Sequence, residues 1–87
     1  MPGIYYMLVS MSKVRVTAAA RRRASKTRIM EALQNAGNPL ATIGNRAYYI
    51  GTDSRGVELE MILIADDDDT WTCIHAMPTQ YRQKGRP

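Results

Sequence analysis

An 87-residue chain of 9.8 kDa has room for one small domain and excludes a multidomain enzyme. With 45% hydrophobic residues it can build a core, and its single cysteine, Cys73, excludes an internal disulfide framework and a cysteine-rich zinc site. The net charge of +4 hides a strong polarity: Lys13 to Arg28 carries seven basic residues and no acidic one, Asp53 to Asp69 carries seven acidic residues and one Arg, and the tail adds Arg82, Lys84 and Arg86.

That polarity points to a polyanion partner for the N-terminal half. The acidic block either repels such a partner from the opposite side or folds back as an internal counter-charge. No apolar run approaches the roughly 20 residues of a membrane span. The stretch Ile4–Val9 is too short for a secretory signal core and has no basic region before it. A reducing, cytoplasmic setting is therefore expected.

In chain order, residues 1–12 read as an N-terminal extension. Met11 offers a second start, while Ile4–Val9 has the content of an edge strand. Residues 13–82 form a single domain. Val14-Arg15-Val16-Thr17 alternates as a short strand does, and Thr17 suits a helix N-cap. Ala18 to Ala36 is rich in helix formers and stops at Gly37 and Pro39. Its apolar stripe is good only late, through Ile29, Met30, Leu33 and Ala36, which predicts two helices broken near Ser25–Thr27. Residues 38–45 read as a loop.

Beyond it the hydrophobic period changes to two. Arg46–Ile50 is a strand, Asp53-Ser54-Arg55-Gly56 a turn, and Val57–Ile64 a strand that is apolar on both faces in its later half. Asp66–Asp69 is a hairpin loop. Trp71–Met77 is the last strand, ended by Pro78; the stretch from Thr79 to Pro87 is basic and frayed in part, with 83–87 as a basic tail. The fold class is α+β: one or two N-terminal helices packed on a three- to four-stranded antiparallel sheet.

Three places could carry chemistry. Arg21, Arg22, Arg23, Lys26 and Arg28 cannot share one helix face, so their charge wraps around the helix. They read as a solvated surface, as contacts to nucleic-acid phosphates, or as a dock for an acidic protein. His75 is the only histidine. On strict alternation it shares a face with Trp71, Cys73 and Met77. It is either a half-buried ring bonded to backbone or an acid/base group of the kind that transesterification at a ribose 2′-hydroxyl needs. Third, Tyr81 and Arg82 just past the last strand could place a phenol and a guanidinium beside a phosphate, joined by Arg46 and Tyr48 from a neighbouring strand; a plain basic tail is the competing reading. Glu58 and Glu60 are general-base candidates or a solvated edge. Four adjacent carboxylates at Asp66–Asp69 cannot all reach one ion, so that run reads as a loop and no metal is expected. Cys73 reads as a small core residue.

The order of elements resembles the RelE/ParE superfamily of small bacterial toxins, nearest its BrnT-like branch, over roughly Val14 to Arg82. The resemblance rests on Val14-Arg15-Val16-Thr17 leading to Ala20 and Arg21-Arg22-Arg23, on Tyr48-Tyr49-Ile50-Gly51 through Arg55-Gly56-Val57-Glu58-Leu59-Glu60, and on Ile74-His75-Ala76-Met77-Pro78-Thr79-Gln80-Tyr81-Arg82. It implies a toxin that cuts mRNA as a metal-independent endoribonuclease and is restrained by a cognate antitoxin. On that pattern His75 is the acid/base candidate, with Arg46, Tyr81 and Arg82 on the phosphate or the transition state. Related domains often carry a Thr-x-His-Ala motif after the first strand; Ala19 stands in the histidine's place here. The implied partners are RNA and an antitoxin protein, with a homodimer left open and no cofactor or membrane. The alternative is a non-catalytic module that binds nucleic acid or protein through the basic helix.

Overall fold

The computed structural model describes residues 13–84, with side chains as far as Tyr81. The expected edge strand at Ile4–Val9 and the end of the basic tail lie outside the described residues. Strand β1 (Val14–Val16) leads into a 3-10 turn (Ala20–Arg22) and helix α1 (Lys26–Ala36). Strands β2 (Ala41–Ile43), β3 (Arg46–Thr52), β4 (Glu58–Ala65) and β5 (Trp71–Pro78) follow, then a short helix α2 (Thr79–Lys84).

Local chemistry sets these boundaries. Thr17 Oγ1 accepts from the Ala20 N–H at 3.1 Å, which starts the 3-10 turn rather than a full helix. Ser25, in extended backbone, accepts from the Arg28 N–H at 3.2 Å and caps α1. Gly37 ends α1 with φ +72°, a conformation that costs glycine little. Ile29, Ala32 and Leu33 lie on one side of α1 and are buried.

The strands form one five-stranded sheet in the order β1-β5-β4-β3-β2. The pairings β2–β3, β3–β4 and β4–β5 are antiparallel, whereas β1 runs parallel to β5. One sheet face carries Val14, Ala47, Tyr49, Leu59, Met61, Leu63, Cys73 and Ala76, all buried beneath α1 and the 3-10 turn. Burying each of Ile29, Leu59 and Met61 stabilises the fold by about 1.5–3 kcal/mol. α1 comes closest at Gly51 of β3, where the absence of a side chain lets the helix backbone rest on the strand.

Polar links fix α1 to the β3–β4 turn. Asp53 is 3% exposed and accepts from Arg28 Nε at 2.7 Å and from the Arg55 and Val57 N–H groups at 2.9 and 3.0 Å. Asn35 donates to the Thr52 carbonyl, and Glu31 accepts from the Ser54 hydroxyl and N–H.

The α+β class holds, but the details differ from expectation. The sheet is mixed and has five strands, because β1 pairs in parallel with β5 and because residues 41–43 form a strand. Pro39, Gly44 and Asn45 gave that segment the composition of a loop, yet Gly44, with φ +60°, closes a two-residue hairpin that pairs it with β3. The first expected helix is only a 3-10 turn, as Ala20 and Ala24 alone bury too little to support a longer one. Residues 79–84 are helical rather than frayed.

Candidate functional site

The sheet face away from α1 is half-exposed, and among the described residues no second sheet lies across it. The strand register orders its side chains in rows. Arg46, Ile64, Thr72 and Arg15 make one row; Tyr48, Ile62 and His75 the next; Ile50, Glu60 and Met77 the third.

His75 reaches this face through a β-bulge. Leu63 pairs with Cys73, but the adjacent Ile62 pairs with His75, so Ile74 is an extra residue in β5. Strict alternation would put Cys73 and His75 on one side. The inserted residue instead turns Cys73 into the core, fully buried, and His75 to the open face. His75 therefore shares its face with Met77 but not with Trp71 or Cys73. Burial pushes the Cys73 thiol up to about 11.

Glu60 sits diagonally across from His75, and its Oε2 lies 2.9 Å from His75 Nε2. The side chains are 37% exposed for His75 and 13% for Glu60. A carboxylate oxygen can only accept, so Nε2 carries the ring proton and Nδ1 keeps the lone pair. The carboxylate thus fixes the tautomer of the neutral ring. The expected general-base candidates thus divide: Glu60 holds the histidine, while Glu58 accepts from Thr79 Oγ1 at 2.8 Å at the start of α2.

The other expected site residues are scattered. Arg46 is on the same face but two strands across and one row along, about 12 Å from His75 between backbones at ordinary sheet spacings, with Ile62 and Ile64 between them. Tyr48 lies in His75's own row, two strands away. Tyr81 is 42% exposed on α2, and the Arg23 guanidinium stands 5.4 Å from its ring centroid. Arg82 follows on α2, its side chain outside the described residues.

The basic cluster also separates into parts. Arg21, Arg22, Arg23 and Lys26 are exposed, and the 3-10 turn borders β5. Arg28 is committed to Asp53. Its guanidinium, helped by the two N–H groups, holds the Asp53 carboxyl below the usual carboxylate range against the opposing effect of desolvation. On the far side of the sheet Arg15 meets Asp68 at 3.2 Å. Both ion pairs join the basic segment to the acidic block, so the acidic block acts in part as an internal counter-charge.

Within the acidic loop, Thr70 Oγ1 donates to Asp66 and Asp68, and Thr72 Oγ1 to Asp66. The Thr70 hydroxyl foremost, with the Thr70 backbone and the Arg15 charge after it, keeps the Asp68 carboxyl below its usual range against the opposing effect of desolvation. Among the described residues no three His, Cys, Asp or Glu side chains gather in a way that could hold a metal ion. No helix there is long and apolar enough to cross a membrane.

The Glu60–His75 pair could be found in sequence only by knowing the register of β4 against β5, because the two residues are 15 apart. What the arrangement offers chemically is one carboxylate-oriented imidazole on a half-exposed sheet face. No protein-family model, curated protein or solved structure matches the chain.

Proposed function

We propose that the chain is a metal-independent endoribonuclease with a RelE-like toxin fold, acting on mRNA in the cytoplasm and held in check by an antitoxin. The observation that carries this reading is the 2.9 Å contact between Glu60 and His75 on a half-exposed sheet face. Nδ1 of His75 takes the proton of a ribose 2′-hydroxyl. The 2′-oxygen attacks the adjacent phosphorus, the bond from phosphorus to the 5′-oxygen breaks, and the leaving oxygen takes a proton from water; the hydroxide left is neutralised by the proton His75 gives up, which restores the free ring. The products are a 2′,3′-cyclic phosphate and a 5′-hydroxyl. No metal is needed to make the nucleophile, because the nucleophile belongs to the substrate. The exposed Arg21, Arg22, Arg23 and Lys26 would hold phosphates of the RNA beyond the site itself. Glu60 acts as a positioning residue.

The test is cleavage of a synthetic single-stranded RNA by the full chain, with the cyclic phosphate identified in the product. Removing a positioned acid/base group costs about 10²–10⁴ in rate. His75→Ala should therefore lose at least about 100-fold, and Glu60→Gln should lower the rate, with unchanged far-ultraviolet circular dichroism in both. Cleavage by His75→Ala at the wild-type rate refutes the reading.

A second reading has its own support in the exposed Arg21, Arg22 and Arg23. On it the chain only binds nucleic acid. Affinity then falls steeply with salt, by a slope of about 0.7 per phosphate contacted on a single strand, and His75→Ala changes nothing.

A further inference from the structure

We infer that Tyr48 and Arg46 form a nucleotide subsite beside His75, in which a base of single-stranded RNA stacks on the phenol ring and its phosphate is held by the guanidinium. The inference rests on the RNA-cleaving role proposed above and deepens it, by naming what lies next to the reacting nucleotide.

The register sets the parts side by side. Tyr48 stands in His75's row on the open sheet face, with Ile62 between them. Two strand spacings, about 10 Å, separate the two backbones, a span that neighbouring nucleotides of one strand cover. Ile62 gives that span an apolar floor. On the other side of Tyr48, β2 sets only Ala41 opposite it, a small and exposed residue, so no bulky side chain from that strand flanks the ring. Tyr48 itself is half-buried. A ring rooted in a sheet and open above offers the flat apolar surface on which unpaired bases stack, whatever their sequence.

Charge identifies the occupant and its direction. Arg46 lies two residues before Tyr48 and on the same face. It is exposed, and among the described residues no carboxylate pairs with it. Its row also carries Arg15, whereas the row on the far side of Tyr48 carries Glu60. The face is therefore positive on one side of the Tyr48 row and negative on the other. A polyanion laid across it is drawn to the arginine side and repelled from the Glu60 side. Its phosphates then meet Arg46, whose fork of donors suits them, and its bases fall on Tyr48 and Ile62. In a duplex the bases are paired and stacked on one another, so none can lie on Tyr48.

The test is fluorescence anisotropy of a labelled RNA whose ribose 2′-hydroxyls are replaced by fluorine. Such a strand has no nucleophile, so binding by the full chain is read apart from cleavage. The single strand should bind more tightly than its own duplex. Tyr48→Thr keeps a strand-forming residue without the ring, and should weaken binding of the single strand about 5- to 150-fold. Tyr48→Phe, which restores the ring, should bind like wild type. Arg46→Ala should lower the slope of log affinity against log salt by about 0.7. Equal affinity for strand and duplex overturns the inference, and decides alone if Tyr48→Thr fails to fold. So do unaltered binding by Tyr48→Thr, an unaltered salt slope in Arg46→Ala, and a wild-type chain that binds no strand at all. Cleavage that depends on His75 beside binding that ignores Tyr48 would overturn this subsite alone. Binding through Tyr48 without cleavage would overturn the endoribonuclease reading alone.

Discussion

Replacing Gly51 by alanine tests how closely α1 sits on the sheet. A Cβ at Gly51 would run into the carbonyl oxygen of Ala32, and would lie 2.9 Å from Ala36 Cβ and 3.0 Å from the Ala32 carbonyl carbon. Carbon atoms normally approach to about 3.5–4.0 Å. The main obstacle is helix backbone, so no rotamer change relieves it and α1 must lift by about 1 Å. Over such a gap the buried contacts of Ile29 and Leu33 lose about a quarter to a half of their attraction. Each of these side chains contributes about 1.5–3 kcal/mol when buried, so the loss is about 1–3 kcal/mol for the pair. Overpacking strain adds about 1–3 kcal/mol. Stiffening of the unfolded chain offsets about 0.4–1 kcal/mol. The net cost lies between about 1 and 5 kcal/mol, centred near 3, or a fall in Tm of at least roughly 5 °C for a domain of this size. Thermal unfolding followed by circular dichroism measures it. Gly44→Ala is the control: nothing lies within 4 Å of its added Cβ, and only the φ of +60° is penalised, by about 1–2 kcal/mol. Ala36→Gly combined with Gly51→Ala should recover only a minor part of the loss, since the Ala32 carbonyl remains. A Gly51→Ala protein that melts within about 4 °C of wild type would show that the helix does not rest on β3 as described.

Acid should loosen the link between α1 and the β3–β4 turn. The folded-state pKa of Asp53 lies below its ordinary value of 3.8. Its stabilising contribution is therefore complete above that ordinary value and is lost as pH falls through the lower folded one. Urea midpoints measured from pH 6 to pH 2 should drop below about pH 4 in wild type and less so in Asp53→Asn; parallel curves would show that Asp53 is not the group responsible. Cys73, fully buried with its thiol pushed up to about 11, should resist alkylation at pH 8 until the protein unfolds. Labelling of the native protein at the rate of an exposed thiol contradicts that placement.

Much of the architecture is written in local pattern. Ser25, the stripe through Ile29 and Leu33, and Gly37 define α1, because capping and 3.6-residue periodicity act within a few residues. The alternation from Val57 to Ile64 and the turn at Asp53–Gly56 likewise place β4 and its hairpin. The segment 41–43 gave no such signal: three uncharged residues between Pro39 and Gly44 become a strand only because β3 is there to bond them.

For the candidate site, composition alone pointed to His75 and to the exposed arginines at 21–23. The orientation of His75 followed from the extra residue Ile74, and its partner Glu60 from the β4–β5 register, neither of which has a local signature. Arg28 belonged by sequence to the basic cluster, but the fold brings Asp53 beneath it and withdraws its charge from the surface. By itself, then, the sequence determined one small α+β domain, its strand and helix periods and its charge polarity, all properties of neighbouring residues. Tertiary structure alone decided which distant groups meet, since pairing register and the approach of helix to sheet arise from packing across the chain.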